Sequence, residues 1–208
     1  MNAQTQRRTI AGPAGAIECA IDAPAGAARA LAVVCHPHPL HGGTMTNKVV
    51  QTLARAFVQL GCRSVRFDFR GVGGSAGAWA EGPGEVEDAL AVIHAFRAPD
   101  EPLVLAGFSF GGYVATQAAA ALAAAAPPLA CERLVLVAPA VSRFPAAPVP
   151  AQRTQLIHGE ADDVVALADV LDWARPQALP VTVVPGAGHF FHGQLALLKS
   201  LVVGAGPC

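Results

Sequence analysis

Leu103-Val104-Leu105-Ala106-Gly107-Phe108-Ser109-Phe110-Gly111-Gly112-Tyr113, followed by an alanine-rich run with no breaker until Pro127, decides the fold. The apolar run reads as a buried strand and the alanine-rich run as a helix, with Gly107-Phe108-Ser109-Phe110-Gly111 as the sharp turn between them. A turn in that setting holds its central serine in a strained backbone conformation and projects the hydroxyl above the sheet. Gly107 and Gly111 flank it because side chains there would collide with the turn and the closely packed helix. The first N–H groups of the helix then face the space beside the hydroxyl, where an oxygen would gather negative charge during acyl transfer. Ser109 is the candidate nucleophile.

The same five-residue pattern occurs a second time, at Gly73-Gly74-Ser75-Ala76-Gly77. Context separates the two. Ser109 follows a strand directly and opens a helix, whereas Ser75 is set off from its strand by Arg70-Gly71-Val72 and runs into Trp79-Ala80-Glu81-Gly82-Pro83-Gly84. Ser75 is therefore expected in a loop, with a structural role.

Outward from this stretch, strands alternate with helices. Arg8–Ile10 and Ala16–Ile21 read as short antiparallel strands within residues 7–22, joined by a Gly/Pro turn. Apolar strands follow at Ala30–Cys35, Ser64–Phe69, Leu103 onward, Arg133–Val137, Gln155–His158 and Val181–Val184. Helices are expected near Asn47–Leu60, Glu85–Phe96, after Ser109, near Val164–Ala174 and near Phe190–Val203. Continuous apolar strands separated by helices predict an α/β fold, a mostly parallel central sheet with helices on both faces. One domain spans 1–208, with its core at about 30–203. Pro139–Pro150 is too short for a separate lid domain, so the site is expected to be open and to favour short or medium chains.

In such sheets functional groups gather at the carboxyl ends of the strands. A serine hydroxyl needs a base, and the base needs an acid to set its tautomer. His189 follows the strand Val181–Val184, and Asp162 follows Gln155–Gly159 after two residues. His192 competes for the base but is expected in the next helix; Asp163 and Glu160 compete for the acid. His94 and His158 are expected to be structural. The oxyanion would take one backbone N–H from Phe110 and a second from the loop His36-Pro37-His38-Pro39-Leu40-His41-Gly42-Gly43. Pro37 and Pro39 have no N–H, which leaves His38, favoured by position, or Leu40. Phe110, Phe144, Leu40 and Phe190 are the candidate apolar walls.

Net charge −1 and the absence of a basic stripe give no support to nucleic acid or acidic membranes as partners. The longest strongly apolar run, 118–126, is far below the ~20 residues needed to cross a bilayer. Residues 1–8 lack the apolar core of a secretory signal, so a cytoplasmic protein with a small-molecule partner is expected. The five cysteines are scattered and odd in number, which fits reduced thiols used as small core residues. No cofactor is implied, and nothing in the chain sets an oligomeric state.

The residues Gly107-Phe108-Ser109-Phe110-Gly111-Gly112, Gly159-Glu160-Ala161-Asp162, Gly188-His189 and the stretch 36–50 resemble the short bacterial α/β-hydrolases related to dienelactone hydrolase. The resemblance runs from about Ala30 to Val203. Within it, 36–50 and Arg66-Phe67-x-Phe69-Arg70-Gly71-Val72-Gly73-x-Ser75-x-Gly77 resemble a lidless serine-hydrolase subgroup. Dienelactone hydrolase itself uses cysteine where this chain has Ser109, so its lactone substrate is not implied. The resemblance implies a single-domain α/β-hydrolase fold with the order Ser, Asp, His, acting on esters or thioesters through an acyl-enzyme. It also implies that Asp68 and Arg70 brace a loop, with substrate contact by Arg70 as the alternative role.

Three other readings weigh against this one. His36-x-His38-x-x-His41 has the spacing of a metal-binding pattern, but Leu40 stands where that pattern needs an aspartate. Gly71-x-Gly73-x-x-Ala76 hints at dinucleotide binding, yet no helix begins there to receive a pyrophosphate. A noncatalytic scaffold that binds a ligand or partner is the alternative of another class, since fold does not imply activity.

Overall fold

The alternating pattern resolves, in a computed structural model that describes residues 5–206, into eight strands and five α-helices. The strands are β1 (Gln6–Gly12), β2 (Gly15–Asp22), β3 (Leu31–Cys35), β4 (Arg63–Phe67), β5 (Leu103–Phe108), β6 (Arg133–Val137), β7 (Thr154–Gly159) and β8 (Val181–Val184). The helices are α1 (Lys48–Gln59), α2 (Pro83–Phe96), α3 (Phe110–Ala124), α4 (Leu167–Ala174) and α5 (Leu195–Gly204). One sheet runs in the order β1-β2-β4-β3-β5-β6-β7-β8. The hairpin β1-β2 joins β4 antiparallel, and every pairing from β4 to β8 is parallel.

Both faces of the parallel part are covered, which is why its central strands β3 and β5 carry no polar side chain at any position. On β3, Leu31, Val33 and Cys35 enter the core under α2, α3 and α4, while Ala32 and Val34 enter the core under α1 and α5. The same alternation divides Leu105 from Val104 and Ala106 on β5, and Leu134 and Leu136 from Val135 and Val137 on β6. Helix α1 starts where the Asn47 side chain accepts from the Val49 and Val50 N–H groups, and it buries Val49, Val50, Leu53, Ala56 and Phe57 along one stripe. Helix α2 starts at Pro83, and Glu85 accepts from the Gly82 and Ala80 N–H groups there.

Several boundaries differ from those the sequence suggests, each for a tertiary reason. β4 stops at Phe67, because the Phe69 N–H leaves the ladder and donates to His36 Nε2 at 3.1 Å. The helix expected from Val164 begins at Leu167, because Val164 and Val165 spend their N–H groups on the Asp162 carboxylate. The helix expected from Phe190 begins at Leu195, after the left-handed residues Phe191 and Gly193, with Phe191 turned into the core. Cys19, Cys35 and Cys131 are free, but Cys62 is disulfide-bonded, so the expectation of reduced thiols throughout fails there.

The connection 139–150 contains no helix. It is tied down by Gln117 Nε2 donating to the Pro145 carbonyl and by the Ala147 N–H donating to Thr116 Oγ1. The fold is a single α/β domain, and among the described residues no α-helix is inserted between β6 and β7. Among the described residues no helix is long and apolar enough to cross a membrane.

Candidate active site

Strand β5 delivers Phe108 into the core and the chain then turns in one residue. Ser109 has φ 57° and ψ −120°, a region that costs a non-glycine residue about 1–3 kcal/mol. The neighbours make the turn possible. A Cβ on Gly107 would lie 1.9 Å from the Gly111 carbonyl oxygen, and one on Gly111 would lie 2.3 Å from that of Cys35. The Ser109 N–H donates to Val137 at 2.9 Å, and its carbonyl accepts from Gly112 and Ala140, so the strained residue is held from three sides.

The Ser109 side chain opens into a cleft of about 300 Å³ whose walls include His38, His41, Phe110, Arg143, Phe144 and His189. Among the described residues no hydrogen bond joins the hydroxyl directly to the His189 ring; the two meet as walls of one cavity. His189 Nδ1 lies 2.8 Å from Asp162 Oδ2. A carboxylate can only accept, so the proton sits on Nδ1 and leaves the Nε2 lone pair free. The ring packs 4.8 Å from Phe108 and 5.0 Å from Phe190.

Asp162 has both carboxylate oxygens engaged. Its Oδ1 accepts from the Val164 and Val165 N–H groups at 2.9 and 2.8 Å. Burial pushes its carboxyl up, but the His189 hydrogen bond and these N–H groups outweigh burial and hold it below the ordinary carboxylate value. The competing acids do other things. Asp163 is exposed, and Glu160 accepts from the Gly186 N–H, bracing the loop that carries His189. His192, expected in a helix, lies instead in an exposed turn with its ring 5.8 Å from Phe190.

One residue at this centre was read from the sequence as structural only. His158, at the end of β7, is fully buried, with Nε2 3.0 Å from the Val165 carbonyl and 3.5 Å from Asp162 Oδ2. Two acceptors face that nitrogen, so it carries the proton, while Nδ1 has no partner among the described residues. Burial holds His158 below the ordinary histidine value, against Asp162 and the Val165 hydrogen bond, which favour the proton. Asp162 thus stands between two imidazoles. The position before Gly159-Glu160-Ala161-Asp162 was the available signal, since only a short turn separates it from the acid.

The loop after β3 distinguishes its two N–H candidates. Leu40 N–H donates to His38 Nδ1 at 3.2 Å, and the Leu40 side chain is 67% exposed. The His38 N–H, like that of Phe110, meets no acceptor among the described residues. Leu40 is also absent from the cleft, so of the expected apolar walls only Phe110, Phe144 and Phe190 line it. Trp79, which the sequence reading passed over, packs 4.4 Å from the His38 ring and 5.1 Å from Phe110.

The remaining candidates are framework. Ser75 Oγ donates to the Asp68 carbonyl at 2.6 Å and accepts from the Glu18 N–H at 3.0 Å. Arg70 grips Asp88 with Nε and Nη2 at 3.0 and 2.8 Å. In the His36-x-His38-x-x-His41 pattern, His36 has both ring nitrogens committed, to the Pro37 carbonyl and to the Phe69 N–H, so it has no lone pair for a metal. A larger groove of about 720 Å³ lies near Arg133, Arg153 and Thr154. There Arg133 donates to the Val202 and Gly206 carbonyls and caps the end of α5.

Residues 28–154 match the family described as "Serine aminopeptidase, S33". An alpha-beta serine hydrolase homologue from Coxiella burnetii is 40% identical, with a TM-score of 0.84 and 96% of each chain covered. An a/b serine hydrolase without lid from Xanthomonas campestris is 38% identical, with a TM-score of 0.85 over 97% of this chain and 93% of that one. An uncharacterized protein of Rickettsia prowazekii (strain Madrid E) is 31% identical over 205 residues, 86% of this chain and 79% of that protein.

Proposed function

The chain belongs to the family of the S33 serine aminopeptidases, within the lidless α/β serine hydrolases, and on that premise we propose that it cleaves carboxylic esters or thioesters of short to medium acyl groups. In this reading Ser109 Oγ attacks the acyl carbon while His189 Nε2 takes its proton, and Asp162 holds the imidazole in that tautomer and stabilises the imidazolium. The oxyanion receives the N–H groups of Phe110 and His38, with Leu40 excluded by its bond to the His38 ring. His189 then protonates the leaving group, and water, deprotonated by the same base, releases the acid from Ser109. No step calls for a cofactor.

The observation that carries the proposal is the 2.8 Å Asp162–His189 bond at the edge of the cleft that also holds the strained serine. An aminopeptidase reading would need a carboxylate to hold the free ammonium of its substrate, and among the described residues no Asp or Glu lines this cleft. Labelling with a fluorophosphonate, beside turnover of an ester and thioester panel, tests the reading. Label on Ser109, with turnover lost in Ser109→Ala, supports it. An unlabelled protein inert on the whole panel would leave a noncatalytic scaffold in its place.

A further inference from the structure

We propose that the cleft beside Ser109 contains an anion subsite, so that the ester it takes carries a second, negatively charged group, a carboxylate on a short chain. The inference rests on the hydrolase reading above and names the substrate class within it.

Every ionisable wall of the cleft is a potential cation: His38, His41, Arg143 and His189. Asp162, the acid closest in the structure to His189, is turned to His189 Nδ1 and to two backbone N–H groups, and it is not a wall. Arg143 has five N–H donors in principle, and the one bond it makes among the described residues runs from Nη2 to the Val164 carbonyl at 3.3 Å. That bond links the exposed guanidinium to the same turn whose N–H groups hold Asp162.

His38 contributes a further donor. Its Nδ1 accepts from the Leu40 N–H, so its proton is on Nε2, which meets no acceptor among the described residues. The His41 ring lies 4.7 Å from that of His38. Burial first, then the nearby His41 and Arg143, hold the His38 ring below the ordinary histidine value. A bound carboxylate would accept from all three side chains. The rest of the wall, including Pro37, Phe110, Ala140 and Phe144, suits the short aliphatic segment between the two carboxyl groups. A volume of about 300 Å³ restricts that segment to a few carbons.

For monoethyl glutarate the balance is simple. The Ser109 Oγ–acyl bond forms as the ethoxide bond breaks, the serine proton passes through His189 to ethanol, and water then frees glutarate. The test compares kcat/KM for monoethyl glutarate, for neutral ethyl hexanoate and for an ω-amino ethyl ester of the same length, with fluorophosphonate labelling of Ser109 in parallel. The monoester should be preferred over the neutral ester by about tenfold or more at low ionic strength, with the gap closing as salt is added. The ω-amino ester should be the slowest of the three. Arg143→Gln should reduce the monoester-to-neutral ratio by about tenfold, and Arg143→Lys should restore part of it. Labelling of Ser109 without preference for the monoester, or a ratio that Arg143→Gln leaves in place, overturns the subsite and leaves the hydrolase reading standing. No labelling and no turnover of any of the three overturns both.

Discussion

Acidification from pH 7.5 to 5.5 should destabilise the protein through His36, a residue whose spacing in the sequence suggests a metal ligand. The ring is fully buried; Nδ1–H donates to the Pro37 carbonyl at 2.6 Å and Nε2 accepts from the Phe69 N–H at 3.1 Å. Asp68 Oδ1 lies 4.0 Å from Nε2, but that nitrogen is already an acceptor, so the two form no ion pair. Burial, offset in part by the Pro37 hydrogen bond, lowers the imidazole from the ordinary 6.5 to about 3. Between those values the unfolded chain binds a proton that the folded chain refuses, so stability rises with pH across the window and is lost as pH falls below 6.5. Each pH unit inside the window is worth about 1.4 kcal/mol, which makes the cost of reaching pH 5.5 about 1.4 kcal/mol from His36 alone. His158, also lowered mainly by burial, adds to the loss with the same sign. Urea unfolding at both pH values, on the wild type and on His36→Gln, isolates the effect. The variant should be weaker by about 1–3 kcal/mol at pH 7.5, because a glutamine amide does not serve both the Pro37 carbonyl and the Phe69 N–H as the imidazole does, yet its drop on acidification should be smaller by about 1.4 kcal/mol. A variant that keeps the full wild-type drop, or a His36 imidazole that titrates near 6.5 by NMR in the folded protein, would refute the reasoning.

Ser109→Ala should abolish turnover, whereas Ser75→Ala should retain it and lower stability by about 1–3 kcal/mol, because the Asp68 carbonyl and Glu18 N–H lose their shared hydroxyl; the pair of urea midpoints and initial rates checks this. Asp162→Asn should lower kcat by about 10⁴, since an amide favours the wrong imidazole tautomer, while the exposed Asp163→Asn should stay close to wild type; equal losses would remove Asp162 from the role proposed here. His158→Phe strips one donor from beside Asp162 and leaves the Val165 carbonyl unpaired, so it should cost about 1–3 kcal/mol in thermal unfolding and lower kcat more than it raises KM. With no cover over the cleft, the rate on a short ester should rise smoothly through the substrate's solubility limit; a jump at the onset of micelles would show that the 139–150 connection moves.

Local sequence was enough for the architecture and for most of the centre. Apolar runs buried on both faces announce parallel strands, and the glycines at 107 and 111 announce a turn that no Cβ would survive, because both signals arise within a few residues of chain. The order of Ser109, Asp162 and His189 is likewise readable, since each follows a strand at the same edge of the sheet. Position along the chain favoured Asp162 over Asp163 and His38 over Leu40, but it did not settle either choice. That Asp162 rather than Asp163 faces His189 depends on a turn closed by the Val164 and Val165 N–H groups, and on a loop pinned across 26 residues by Glu160 and Gly186. That the His38 N–H stays free while that of Leu40 is taken depends on the rotamer of the His38 ring, packed against Trp79 from a loop four tens of residues away. His158 beside Asp162, and Arg143 reaching Val164, are invisible to periodicity for the same reason. Hydrogen bonds between loops carry no pattern along the chain: the sheet brings the loop ends together, and the few ångströms that then select one donor or acid over its neighbour are decided by packing among them.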